Sequence, residues 1–136
     1  MKENRTYQSI LYLLLALGFF MNSSYGEAPV YVKTMVDAVA MSESSKKDLL
    51  VIFTADWCGI CQEMKQDIEK NEILVENLII CYIDMDKNED LVKEYGVKHI
   101  PDYFILKNKT EFGRKIGYIN LEYFKRWIDK YARHNN

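Results

Sequence analysis

Leu49-Leu-Val-Ile-Phe-Thr-Ala-Asp-Trp-Cys-Gly-Ile-Cys-Gln-Glu-Met-Lys-Gln-Asp-Ile68 is the stretch on which the fold turns. Its opening run, Leu49 to Phe53, is continuously apolar and of strand length, the pattern of a strand buried on both faces. After it the period changes. Ile60, Met64 and Ile68 recur at helical spacing with Glu63, Lys65, Asp67 and Glu69 around them, which predicts an amphipathic helix beginning near Cys58. A Cys-x-x-Cys therefore sits where a buried strand gives way to a helix. The unpaired N–H groups and the macrodipole of that first turn stabilise a thiolate on Cys58. Cys61 lies one turn further in, within bonding reach and more shielded from solvent. The thiolate is the attacking species in disulfide exchange, so Cys58 reads as nucleophile and Cys61 as resolving thiol. Two other chemistries share the motif. A closed zinc site needs four ligands, and beyond the pair only Cys81, His99 and His134 are available, with no second paired motif. A static structural disulfide is the other, opposed by the ease with which an exposed helix-start thiol exchanges.

Working outward, Val30–Val32 reads as a short strand, and Thr34 as the cap of a helix carrying Met35, Val36, Val39 and Ala40. Asn71 is placed to cap a short turn holding Ile73, Leu74 and Val75. Leu78–Ile83 is a second buried strand, and Asn88 opens a helix that stops at Gly96. Tyr103–Leu106 and Glu111–Ile116 flank Lys107-Asn-Lys-Thr110 as a hairpin. Asn120 opens a final amphipathic helix with Leu121, Phe124, Trp127, Ile128 and Tyr131 on one face. The order β-α-β-α-β-α-β-β-α predicts an α/β fold, a central mixed sheet with helices on both faces.

The whole chain of 136 residues fits one folded domain, with 49% apolar and 28% charged side chains. Its net charge of −2 and the lack of a Lys/Arg-rich run exclude a nucleic-acid binder. Residues 1–26 stand apart. Lys2 and Arg5 precede an apolar run from Ile10 to Met21, too short at about 1.5 Å per residue to cross a hydrocarbon core of about 30 Å. With the small residues of Ser24-Tyr-Gly26 this predicts a signal peptide cleaved before Glu27, the alternative being an uncleaved anchor. Residues 27–136 then form the domain, exported to the periplasm or secreted, or else membrane-anchored and facing the periplasm.

Ala55-Asp-Trp-Cys-Gly-Ile-Cys61, the segment from Asp84-Met-Asp-Lys-Asn88 through Tyr95-Gly-Val-Lys-His-Ile-Pro101, and Gly117 together resemble the thioredoxin superfamily over residues 30–133. The Thr54–Cys58 wording and the Asn71–Asn77 insert are also similar to the C-terminal domain of exported DsbD-type interchange proteins. The resemblance implies the thioredoxin fold and a cis Ile100–Pro101 bond. That bond would set the Ile100 backbone beside the cysteines, where it can pair with an extended substrate. For X–Pro bonds in general trans is the commoner state. Trp57, with Gly59 and Ile60, would line the same groove. Two departures accompany the likeness. Ile52 stands where the family buries an acid, and Tyr82 where it places the partner lysine. The usual base for the second cysteine is missing, and the loss of a negative charge should lower the thiol pKa values. Asp102, after the proline, and His99, before it, read as solvated loop residues; Cys81, in an apolar strand, reads as a small core hydrophobe.

The expected activity is thiol–disulfide oxidoreduction of protein substrates by a monomer that needs no metal or organic cofactor and receives or passes electrons through a membrane or soluble redox partner. A binding module using the same groove without turnover, and a membrane-anchored partner in a larger electron-relay system, are the competing readings. Gly59-Ile60 matches neither Gly-Pro, common in reducing thioredoxins, nor Pro-His, common in strong oxidants, so direction is left open.

Overall fold

A computed structural model describes residues 27–132; the expected leader, residues 1–26, and His134 lie outside them. The continuous apolar run forms the central strand β2 (Leu49–Thr54) of a five-stranded sheet. Beside it run β1 (Val30–Val32), β3 (Ile79–Asp84), β4 (Asp102–Lys107) and β5 (Thr110–Ile116), in the order β1-β3-β2-β4-β5. β1 and β2 both pair parallel with β3, while β4 pairs antiparallel with β2 and with β5. Parallel neighbours require crossovers, supplied by α1 (Met35–Ser45) and α2 (Gly59–Lys70); α3 (Glu89–Glu94) and α4 (Leu121–Tyr131) complete the two outer layers. The mixed sheet and the element order are as the sequence predicts.

Strand alternation divides the core in two. Leu50, Ile52, Ile80, Tyr103 and Ile105 meet Met64 and Ile68 of α2 and Phe124, Trp127 and Ile128 of α4. On the other face Leu49, Val51, Phe53, Cys81, Ile83 and Phe104 meet Met35 and Ala38 of α1 and Val97 after α3. In α1 the buried face is therefore Met35 and Ala38, and Val36, expected inside, is 79% exposed. A single residue's rotation about the helix axis, not the count of apolar residues, chooses the face.

The caps are partly as expected. Thr34 accepts from the Asp37 N–H at 3.1 Å and Asn120 from the Tyr123 N–H at 3.0 Å. Asn71 and Asn88 work backwards instead, their amides donating to the carbonyls of Asp67 and Asp84, each at 2.8 Å. The hairpin is tighter than predicted, because Asn108 and Lys109 both take positive φ (48° and 65°), the two-residue turn that matches strand twist.

Asp102 differs most from its expectation. It is the first residue of β4 and is fully buried (0% exposed), not a solvated loop acid. Its register opposite Phe53 and Ile116 places it in the sheet, and Arg114 supplies the charge partner that makes burial tolerable.

Candidate active site

Cys58 is the N-cap of α2 in extended conformation, and its carbonyl accepts from the N–H groups of Cys61 and Gln62, both at 3.1 Å. The first turn of this helix contains no acidic residue. Its positive end is therefore uncompensated where Cys58 lies. Cys58 and Cys61 are joined by a disulfide, with Cα atoms 5.2 Å apart. The two residues are 6% and 4% exposed, so the contrast in shielding expected across one turn is small in the disulfide form. Position at the helix end, not exposure, distinguishes them.

The disulfide packs on the apolar side chains of Ala55, Met85 and Ile100. Ile100–Pro101 is cis, as the resemblance implies. The Pro101 carbonyl accepts from the Gly117 N–H at 2.8 Å, and Gly117 has φ of +81°, which favours glycine. Trp57 is 68% exposed beside the pair, and its indole Nε1 donates to Asp86 Oδ2 at 2.7 Å. Gly59 and Ile60 are exposed in the first turn of α2. Lys87 bonds Asp84 at 2.5 Å and lies 3.5 Å from Asp56; its ammonium holds the Asp84 carboxyl below the usual range. His99 is exposed, as expected. Two participants escape sequence reading, Asp86 and Arg114. Fixing the turn at Asn108-Lys109 does not reveal Arg114, since an unbroken register would set it opposite Tyr103; only the slip between Ile105 and Leu106 sets it opposite Phe104 and diagonal to Asp102.

Residues 31–130 match the Thioredoxin family. The chain belongs to that family. It is 32% identical over 92 residues to the thioredoxin of Buchnera aphidicola subsp. Baizongia pistaciae, a match that covers 65% of this chain and 83% of that one. The thioredoxin of Rickettsia typhi is 30% identical over 102 residues, covering 73% of this chain and 97% of the relative. Among solved structures, thioredoxin NaTrxh from Nicotiana alata superposes with a TM-score of 0.63 at 26% identity, over 82% of this chain and 98% of that one. A mutant thioredoxin from Halobacterium salinarum shares the fold, with a TM-score of 0.64 at 24% identity, over 82% of this chain and 96% of that one. This thioredoxin is thus a thiol–disulfide oxidoreductase with its redox-active cysteine pair present.

The thioredoxin acid–lysine position is apolar here. Ile52 is 2% exposed and pairs in register with Tyr82. Tyr82 stacks on Tyr31 with ring centroids 6.3 Å apart, Lys65 lies 5.4 Å from its ring centre, and burial pushes its hydroxyl pKa up. Asp102 is the only buried acid among the described residues, and it cannot stand in. It faces the opposite side of the sheet from Ile52 and is held by Arg114. The third cysteine, Cys81, is free and buried in β3, its thiol pushed up to about 11 by burial.

Proposed function

We propose that this exported thioredoxin-family protein exchanges disulfides with protein substrates through Cys58-Gly-Ile-Cys61, with Trp57, Gly59, Ile60, Ile100 and Pro101 forming the substrate groove. The observation that carries the reading is the disulfide at the uncompensated start of α2, packed on Ile100 and flanked by exposed Trp57. In the reducing direction the Cys58 thiolate attacks a substrate disulfide, forms a mixed disulfide and expels one substrate thiolate. Cys61 then loses its proton, attacks Cys58 Sγ and releases the second substrate thiolate, so that two electrons pass from the dithiol to the substrate. The oxidising direction is the reverse. With a buried Ile52 where the family has its acid, the Cys61 proton leaves without a carboxylate at that position to take it. An upstream membrane or soluble redox partner recharges the pair, and the protein works as a monomer.

Reduction of insulin disulfides by the dithiothreitol-recycled protein tests the reading. The parent should turn over, Cys58→Ser should abolish exchange, and Cys61→Ser should trap mixed disulfides. Alkylation of Cys61 in preference to Cys58 in the reduced protein would overturn the assignment of roles. Binding of substrate without turnover would favour the binding module. The proposed export rests on the short apolar run of residues 10–21 and the small residues before Glu27. Intact mass after expression in a secreting host should give a chain starting near Glu27, whereas retained Met1 with tight membrane association would mean an anchor.

A further inference from the structure

The segment beside the disulfide is held at three consecutive residues by three different contacts. Ile100 packs against the cysteine pair, the Pro101 carbonyl is taken by the Gly117 N–H at 2.8 Å, and Asp102 is taken by Arg114. The last contact is a two-point clamp, with Arg114 Nε donating to Oδ1 at 2.8 Å and Nη2 to Oδ2 at 2.6 Å. Arg114 is itself braced, 3.6 Å from Glu111 and 5.4 Å from the centre of the Phe104 ring. Asp102 also lies opposite Phe53, two residues before Ala55 of the disulfide bed, so the clamp ties the proline segment to the strand that delivers the cysteines.

A buried ion pair is an expensive way to gain stability, since apolar residues of like volume often serve as well. What a planar guanidinium gripping both carboxylate oxygens supplies is orientation. We propose that Asp102 and Arg114 are positioning residues that hold the Ile100 backbone in the orientation needed to pair with an extended protein substrate, an inference that rests on the groove assigned above. Small thiols and disulfides, which need no backbone pairing, do not depend on the clamp. The acid is thus recruited to substrate positioning on one face of the sheet, while the proton-accepting position on the other face is left to Ile52.

The test compares two reactions of the same reduced or oxidised protein: reduction of insulin disulfides, and reaction of the pair with dithiothreitol. In Asp102→Asn, which keeps shape but gives up one charge, kcat/KM for insulin should fall about tenfold, chiefly through KM, as expected for a misplaced positioning group. The dithiothreitol rate and the reduction potential should stay within about twofold. Arg114→Lys keeps the charge but not the fork, and should give an intermediate loss in the same pattern. If Asp102→Asn does not fold, Arg114→Lys alone decides. Equal losses with insulin and dithiothreitol, a shifted potential, or no loss with insulin would each overturn the positioning role. A parent that fails to turn over insulin would defeat the groove assignment, and this inference with it.

Discussion

At the scale of the residue, Ile52 sets the chemistry of the pair as much as the cysteines do. It lies in the core with Met64 and Ile68 of the helix that carries them, and neither it nor the bed of Ala55, Met85 and Ile100 supplies a carboxylate. Desolvation raises a thiol pKa and a helix N-terminus lowers it; here the buried acid Asp102 is paired with Arg114, and Asp56 and Asp86 beside Trp57 are exposed to solvent, so little opposes the helix. In the reduced protein Cys58 should therefore titrate clearly below the free-thiol value of ~8.5. A stabilised thiolate favours the reduced state and makes the pair a weaker reductant than one with a buried acid behind it. Ile52→Asp should raise the Cys58 pKa and make the protein more reducing, at a cost in stability from burying a carboxylate. Thiolate absorbance against pH in both proteins measures this. An unshifted Cys58 in the parent, or a pKa that falls when the acid is added, would refute the account. The cysteine pair is legible in the sequence because its chemistry is carried by two residues one helical turn apart. Asp102 is not, because its environment is set by Arg114, which only the folded hairpin brings to it.

At the scale of the element, types and order follow from periodicity, but faces and caps require partners. α1 shows the limit: Val36 is as apolar as its neighbours, yet the sheet meets the face carrying Met35 and Ala38. Asn71 and Asn88 stand at helix ends as expected, but each amide finds a carbonyl four residues back. A closer fit, invisible to any pattern, joins β5 to α4. The register slips between Ile105 and Leu106 where Gly113 and Glu111 are the partners, and the Tyr131 ring lies flush against Gly113. A Cβ at Gly113 would come within 2.5 Å of Tyr131 Cγ and Cδ1. Swinging that ring aside would give up its packing 5.5 Å from the Trp127 ring and 6.2 Å from that of Phe112. Gly113→Ala should destabilise by about 1–3 kcal/mol, the usual cost of overpacking, read as a lower urea midpoint. In a Tyr131→Leu background the same substitution should cost much less, because neighbouring sites couple. Equal costs in the two backgrounds would mean that the ring is not the obstacle.

At the scale of the molecule, the two cores share an electrostatic property that neither sequence pattern nor any one element displays. Burial pushes the Cys81 thiol up to about 11 and the Tyr103 hydroxyl up to about 12, and raises Tyr82 and Tyr118 as well. Each of these groups is neutral when protonated, and folding favours that form. A folded pKa above the unfolded value gives stability that is fully present below the unfolded pKa and is lost as pH rises through the folded one. Cys81 begins this loss first, from an ordinary value of 9.0, while the tyrosines start from 10.0. Up to about pH 9 the pH dependence belongs mainly to one buried thiol in β3; nearer pH 10 the raised tyrosines together outweigh it. Its full contribution is on the order of 2–3 kcal/mol, since each pKa unit between the folded and unfolded states is worth about 1.36 kcal/mol. The measurement is best made with Cys58→Ser and Cys61→Ser both present, so that Cys81 is the remaining thiol and cannot reshuffle a disulfide. Urea midpoints in that protein should fall as pH rises from about 8 to about 9, with Cys81 contributing a slope of about 0.7 kcal/mol per pH unit at the upper end. Adding Cys81→Ala should lower stability at every pH by the cost of a small cavity, and should also flatten the slope over that range. A slope that survives Cys81→Ala unchanged would show that the thiol ionises as readily inside the protein as outside, and would place the alkaline limit of this fold with its tyrosines alone.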